Sequence, residues 1–313
     1  MTRNEQVMSE ETNDLDAMLA AANMGVGDEP AGFRSGFVTF VGRPNAGKST
    51  LMNKILGEKV AIVSNKPQTT RNQIRGILDR EDAQVVFVDT PGIHKPRSAF
   101  NEKLNEAATS ATGSVDVVCF VIDASAPYGR GDQYIAENLG PNTIVVLTKA
   151  DRTKPDRMVD QLAKTGTLEF AEYFPVSGKT GDGVDALVEH LISKLPEGPR
   201  LYPVQTITDQ PDAFWVAELV REQLLRITRE ELPHSIACVV TEWRWPYIRI
   251  EILVQRDSQK GIVIGKKGLV LKEVGEAVRK QLKDGAFVDL HVKVQKDWQD
   301  RPERLGYGTD PDF

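Results

Sequence analysis

The 313-residue chain has no run of about 18 apolar residues, so no transmembrane helix is expected. Its first residues, "MTRNEQVMSEETNDLD", are acidic and contain no apolar core, which argues against a secretory signal. There are two cysteines, Cys119 and Cys238, both inside apolar strand-like runs, "VVCFVI" and "IACVV". Such cysteines read as small buried hydrophobes, and a disulfide framework is not expected. A reducing cytosol fits that usage. His94, His190, His234 and His291 are scattered without metal-ligand spacing, so no structural metal is assigned. Positive charge is not in excess either: the formal net charge is −6. Any nucleic-acid site must therefore be a local patch.

What is present is alternation. The length favours two domains. Residues 1–33 are polar and acidic and read as a disordered extension, although Leu15, Met18, Leu19 and Ala22 could line one face of a transient helix. From Phe37, strand-like runs "FVTFV", "QIRGILD", "QVVFVD", "DVVCFVID", "TIVVLT" and "YFPVS" alternate with helix-like stretches beginning near Ser49, Phe100, Asp132, Pro155 and Gly183. That order is an α/β domain over 34–195. Residues 196–211, "PEGPRLYPVQTITDQP", are proline-rich and aperiodic, which marks a linker. Residues 212–300 follow a different order, α-β-β-α-loop-α-β, opened by Val216, Leu219, Val220, Leu224 and Ile227 at helical spacing. That segment is a small α+β domain, and 301–313 is a tail.

Gly42-Arg43-Pro44-Asn45-Ala46-Gly47-Lys48-Ser49-Thr50 matches the phosphate-binding loop pattern, with a strand before it and a helix after it. Its glycines let backbone N–H groups converge on phosphates at a helix N-terminus. Lys48 would neutralise the β- and γ-phosphates, and the Ser49 hydroxyl would ligate magnesium. "VVFVDTPG" ends a strand in Asp89, able to reach magnesium through a water, and Gly92, whose N–H can meet the γ-phosphate. In the intervening "NKPQTTRNQ", either Thr69 or Thr70 could close over the magnesium. "VVLTKAD" places Thr148, Lys149 and Asp151 at another strand end, where a carboxylate can accept from guanine N1–H and N2–H, or instead cap the helix near Pro155. Ser177, Gly178 and Lys179 in "PVSGKTGDG" could close the base pocket from the far side.

With these motifs in order over residues 36–195, the chain resembles the translation-factor-like GTPases. Within them, "GRPNAGKST", "QTTR" and "DTPG" resemble the Era family of ribosome-assembly GTPases. The resemblance implies GTP/GDP and Mg2+ as cofactors and GTP hydrolysis as the activity, with Lys48, Thr70, Asp89 and Gly92 carrying it. Two departures from the wider pattern stand out. Thr148 replaces the usual asparagine, so the shorter hydroxyl keeps a loop contact while weakening the base pocket, and it leaves an ATPase reading open. Ile93 stands where Ras-like enzymes carry a water-orienting glutamine, as it does in Era-like enzymes. Asn45 has two readings, a solvated loop amide or, by resemblance to GTPases sharing this asparagine, a ligand to K+.

A second glycine-bounded loop, "GIVIGKKGLVLKEV", is not another phosphate loop: Lys260 stands where glycine is needed, and Lys267 where Ser or Thr is needed. A bare Gly-x-x-Gly recurs about once in a chain of this length, so the context must decide. Gly265 to Gly268 joins two helical stretches inside the α-β-β-α-α-β segment, an order that resembles a type II KH domain. In such domains this loop clamps the backbone of four single-stranded nucleotides. Lys266 and Lys267 would then pair with phosphates, Lys260 and Lys272 would extend the basic rim, and Ile264 would belong to the apolar groove. A turn with solvated lysines is the alternative.

The Era resemblance extends over roughly 36–307, including "ITD" at 207–209, "AELVREQLL" at 217–225, "ELPHS" at 231–235 and "DWQDRPERLGYG" in the tail. It implies an α/β P-loop GTPase domain followed by an α+β KH domain. Its partners would be the 3′ end of small-subunit (16S) ribosomal RNA and the small ribosomal subunit, whose maturation it would assist in the cytoplasm. Loose peripheral association with the inner face of the membrane is a further family property, for which no anchor is visible. The alternative function is an RNA-binding chaperone whose nucleotide-holding domain has negligible hydrolysis.

Overall fold

Strand β1 (Arg34–Gly42) lies inside a six-stranded sheet, between β3 (Ala83–Asp89) and β4 (Val117–Asp123). In this computed structural model, residues 29–66, 69–92, 115–168, 170, 172–228 and 235–296 are described. The sheet continues outward through β2 (Ile74–Asp79) on one side, and through β5 (Ile144–Thr148) and β6 (Glu172–Pro175) on the other, in the order β2-β3-β1-β4-β5-β6. Only β2 runs antiparallel to its neighbour. A parallel sheet is covered on both faces, which explains why β3 is buried at every position.

Alternation along the strands divides that burial between two layers. Cys119, Val121, Val146 and Phe87 face helices α1 (Lys48–Leu56) and α4 (Val184–Lys194), whose Leu51, Met52, Leu187 and Leu191 complete one core. Phe120, Ile122, Val145 and Leu147 face the other way, onto Ile135 of α2 (Arg130–Ala136) and the flank of Leu162 on α3 (Pro155–Gly166). Phe40 and Phe87 stack across β1 and β3 with centroids 5.4 Å apart. The strand ends at Gly42, Asp89 and Thr148 are thereby brought to one edge of the sheet, the edge where such folds hold ligands. The helix expected near Phe100, and Ile93, lie outside the described residues.

The C-terminal segment has the expected order: α5 (Asp212–Ile227), β7 (Ala237–Arg244), β8 (Tyr247–Val254), α6 (Asp257–Ile264), α7 (Leu269–Arg279) and β9 (Phe287–Val294). Its sheet runs β7-β8-β9, antiparallel and then parallel. Ile248, Ile250, Ile252 and Val254 share one face of β8 and form a single core with Val216, Leu219 and Val220 of α5 and Val274 and Val278 of α7.

Residues 196–211 are more than a tether. Ile77 N–H on the open side of β2 donates to Ile207 O (2.8 Å), and Thr208 Oγ1 donates to Arg75 O (2.7 Å). The buried Gln84 side chain accepts from Leu201 N and Tyr202 N and donates to Tyr202 O. Arg200 pairs with Asp79 at 3.1 Å and lies over the Phe33 ring. The segment lacks periodicity because its polar groups bond to the edge of another element. Covering an edge strand in this way also removes an aggregation-prone surface. Residues 29–33, expected within a disordered extension, pack here as well: Phe33 is buried, and Glu29 accepts from Arg200 N.

Ile250→Ala would leave a cavity in the core beneath β8 and should destabilise the C-terminal layer by about 2–5 kcal/mol, read as an earlier urea transition. Nucleotide affinity, measured in the same protein, should stay within about twofold, because the core of the first sheet is separate.

Candidate functional site

The chain leaves β1 at Gly42, passes through Asn45 and Gly47 with positive φ (63° and 101°), and enters α1 at Lys48. This tight reversal buries Lys48, whose Nζ donates back to Gly42 O (3.2 Å) and Arg43 O (3.3 Å). Burial pushes its ammonium down from the usual lysine range, with the nearby Asp89 charge opposing. Asp89, fully buried at the end of β3, is pushed up by the same desolvation, with Lys48 and hydrogen bonds from Ser49 and Thr70 opposing. Ser49 Oγ donates to Asp89 Oδ2 at 2.6 Å, Thr70 Oγ1 lies 3.2 Å from the same oxygen, and the two hydroxyls are 3.2 Å apart. Of the two candidate threonines, Thr70 is the one that reaches this site; Thr69 Oγ1 instead donates to Lys66 O.

These three residues fit a magnesium ion. Asp89 Oδ1 is buried without a hydrogen-bond partner, an oxygen that a hard cation would compensate beside two hydroxyl oxygens. No group of three or more His, Cys, Asp or Glu that could by itself hold a metal ion occurs among the described residues, so a cation here would share its coordination with ligand phosphates and water. Gly92 meets the loop from below. A Cβ there would stand 2.6 Å from Pro44 N, so only glycine allows this approach. Pro44, Asn45, Lys48, Ser49, Thr70 and Gly92 all line one cavity of about 270 Å³.

A neighbouring cavity of about 440 Å³ shares Gly47, Thr50 and Lys149 with the first, and adds Thr148, Asp151, Gly178 and Lys179. Ser177 Oγ donates to Asp151 Oδ1 at 2.8 Å, which joins two motifs that are 26 residues apart. Lys149 Nζ reaches Asn45 O (2.7 Å) and Asp123 Oδ2 (2.5 Å), fastening the loop from the far side. Burial alone would raise Asp123, but hydrogen bonds from Lys149 and Ser125 hold it below the usual carboxylate range. Thr148 Oγ1 bonds to Ala46 O and to Ile122 O (3.0 Å). The loop contact expected of this residue is therefore present, and the hydroxyl is directed at the protein backbone.

Three features escaped the sequence reading. The exposed Asn45 amide is also tied to the protein: its Nδ2 donates to Asn65 O at 2.7 Å, in the segment that leads to Thr70. Arg43 reaches Asp132, buried at the start of α2, at 2.9 Å. Around the second loop, Ile262 and Leu269 are 59% and 61% exposed and supply more apolar surface than half-buried Ile264. A run of isoleucines broken by helical phase was the available signal. Gly265 (φ 72°), Lys267 (φ 54°) and Gly268 (φ 77°) make the turn between α6 and α7, and a Cβ at Gly265 would collide with the Val270 side chain. Lys266, Lys267 and Lys272 are exposed and Lys260 is half-exposed. Lys272 lies 3.9 Å from Glu276, a surface pair of little strength.

A mostly parallel sheet with a phosphate loop, a hydroxyl–carboxylate cluster and a second lysine-bearing loop in an α-β-β-α-α-β layer defines a P-loop GTPase domain joined to a KH domain. Comparison agrees. Residues 37–149 match the 50S ribosome-binding GTPase family, and residues 231–299 match the KH domain family. The GTPase Era of Nocardioides sp. is 45% identical, over 90% of this chain and 98% of its own. That of Mycolicibacterium smegmatis is 46% identical, over 88% and 98%. The crystal structure of Era in complex with MgGDPNP and nucleotides 1506–1542 of 16S ribosomal RNA superposes with a TM-score of 0.82 at 38% identity, covering 88% of this chain and 99% of that one. A variant of Aquifex aeolicus Era bound to GDP·AlF4− gives 0.82 at 37%, with the same coverage. The chain belongs to the Era family of GTPases.

Thr148→Val keeps the shape but leaves two buried carbonyls with one partner fewer. It should cost about 1–3 kcal/mol in thermal unfolding of the nucleotide-free protein and weaken both GTP and GDP binding. An unchanged melting temperature and unchanged affinities would show that the hydroxyl holds nothing.

Proposed function

We propose that this chain is a GTP-hydrolysing switch that binds the 3′ end of 16S ribosomal RNA and assists assembly of the small ribosomal subunit. The observation that carries the reading is the convergence of Ser49, Thr70 and Asp89 on one buried point beside Lys48, in a chain that also exposes the Gly265–Gly268 loop. The family resemblance supplies the RNA, and the Era structure with MgGDPNP and 16S nucleotides supports both ligands. The proposed division is an extension over 1–33, a GTPase domain over 34–195, a connecting segment over 196–211, a KH domain over 212–300 and a tail over 301–313. The reading puts the chain in the cytoplasm. Loose association with the inner membrane face belongs to the resemblance, and no helix among the described residues is long and apolar enough to cross a membrane.

In this reading, the backbone N–H groups of residues 43–50 and the Lys48 ammonium hold the β- and γ-phosphates. Magnesium, when bound, supplies positive charge that favours departure of the terminal phosphoryl group. Ser49 and Thr70 offer hydroxyl oxygens to it, and Asp89 a carboxylate through water. Gly92 N–H donates to the γ-phosphate. Asp151 accepts from guanine N1–H and N2–H, with Lys149, Ser177, Gly178 and Lys179 around the base. The Asn45 side chain, oriented by its bond to Asn65 O, presents Oδ1 to a potassium ion near the phosphates. At the second loop, Gly265 and Gly268 admit an RNA backbone, and Lys260, Lys266, Lys267 and Lys272 meet its phosphates beside Ile264.

Single-turnover hydrolysis tests the first half. The expected result is preference for GTP over ATP, acceleration by small ribosomal subunits, and a faster rate in potassium than in sodium that Asn45→Ala abolishes. Hydrolysis that stays negligible with subunits present would favour a nucleotide-holding RNA chaperone.

For the second half, replacing Lys266 and Lys267 together by Asp should weaken binding to a single-stranded 16S 3′-end RNA and flatten its salt dependence by roughly one to two units of slope. Unchanged affinity and slope would remove the loop from the RNA site.

A further inference from the structure

Three deeply buried charged groups outside the nucleotide site lie on α5, the first helix of the C-terminal layer. Arg221, Glu222 and Glu218 are 1%, 0% and 4% exposed. Burying charges costs several kcal/mol each unless they are paired with good geometry, so their partners are informative. Arg221 makes a two-pronged pair with Glu218 (2.7 and 2.5 Å), and its Nη2 also donates to the backbone carbonyl of Thr69. Glu222 Oε1 accepts from Val63 N at 3.0 Å, and its Oε2 accepts from Lys59 Nζ at 2.7 Å. Val63 and Thr69 are the two ends of the segment that carries Asn65 past Asn45 and delivers Thr70 to Ser49 and Asp89. A further bond, from Arg71 Nη1 to Ile236 O at 2.6 Å, fixes the residue after Thr70 to the chain just before β7.

We infer that Arg221 and Glu222 are positioning residues for GTP hydrolysis: one helix of the KH domain grips Val63 and Thr69 and thereby sets where the Thr70 hydroxyl stands. The inference rests on the reading of Thr70 given above. The Thr69 carbonyl precedes the Thr70 amide directly, so a shift at that carbonyl moves the Thr70 Cα with it through a rigid peptide plane. A guanidinium suits this role. Its Nε and Nη2 satisfy Glu218 while the second N–H of Nη2 reaches the carbonyl, a fixed planar division of donors that the single ammonium of lysine lacks the geometry to reproduce. Lys59 adds a link to the same helix layer, because its ammonium also donates to Gln281 Oε1 (2.7 Å), just beyond the end of α7.

The test uses the full chain with Arg221→Lys, which keeps a charge opposite Glu218, and Arg221→Met, each alone and combined with Thr70→Ala. Single-turnover hydrolysis is measured at saturating GTP and magnesium, with GDP affinity alongside. Either Arg221 variant should slow hydrolysis about tenfold or more, as expected when a reacting-site group is displaced, while GDP affinity changes less than about twofold. In the Thr70→Ala background the same substitutions should cost less than about twofold further, because they act through that hydroxyl. If Arg221→Met does not fold, Arg221→Lys carries the cycle. Full activity of both Arg221 variants, or a loss that adds undiminished to that of Thr70→Ala, would overturn the inference and leave the Thr70 assignment standing. Normal hydrolysis by Thr70→Ala alone would overturn the assignment of Thr70, and the inference with it.

Discussion

Lys48 and Asp89 are buried side by side, and burial pushes each toward its neutral form while the other pulls it toward charge. In a medium of low dielectric neither ion is comfortable alone, and the pair is balanced only when further charge and hydrogen bonds complete it. That balance explains what surrounds it. Ser49 and Thr70 donate to the carboxylate, the loop carbonyls of Gly42 and Arg43 take the ammonium, and Gly92 closes in on Pro44 with no room for a side chain. Phosphates and a divalent cation add the missing charge at this point. The segment bearing Thr70 therefore has a reason to respond to what is bound.

That segment does not belong to the nucleotide site alone. Asn45 holds it at Asn65, and α5 holds it at Val63 and Thr69. The edge of β2, which follows it, is covered by residues 201–208 on the way to α5. The segment is thus fastened on one side to the phosphate loop and on the other to the layer that carries the Gly265–Gly268 loop. A change at Thr70 meets resistance from both sides, which is the physical form a two-state switch takes.

The two lysine-bearing glycine loops show how alike local chemistry can be while the consequences differ. Lys48 opens a helix at the edge of a parallel sheet and is buried, so it suits a compact polyphosphate held by backbone donors. Lys266 and Lys267 stand on a turn between two short helices and are exposed, beside the uncovered Ile262 and Leu269. Charge flanked by apolar surface suits an extended nucleic-acid strand, whose phosphates and bases present those same two features side by side.

Strands, their burial on two faces, the phosphate loop and the α-β-β-α-α-β order were legible in the sequence, because alternation, glycine spacing and helical phase are written in neighbouring residues. So was a shared pocket for Asp151 and Ser177, whose motifs each end a strand, but not the hydrogen bond between them. Other relations have no local record. The aperiodic stretch 196–211 read as a linker because its bonds go to Gln84 and the edge of β2, more than a hundred residues away. Asn45 read as ambiguous because its partner is a backbone carbonyl, which every residue possesses. Arg221 and Glu222 fell on a helix whose apolar spacing was plain, and nothing in "AELVREQLL" tells a solvated charge from a buried one. The sequence by itself determined which chemistry each loop can perform. Only the tertiary structure decided which backbone groups those buried charges grip, since that depends on how two separately patterned layers meet.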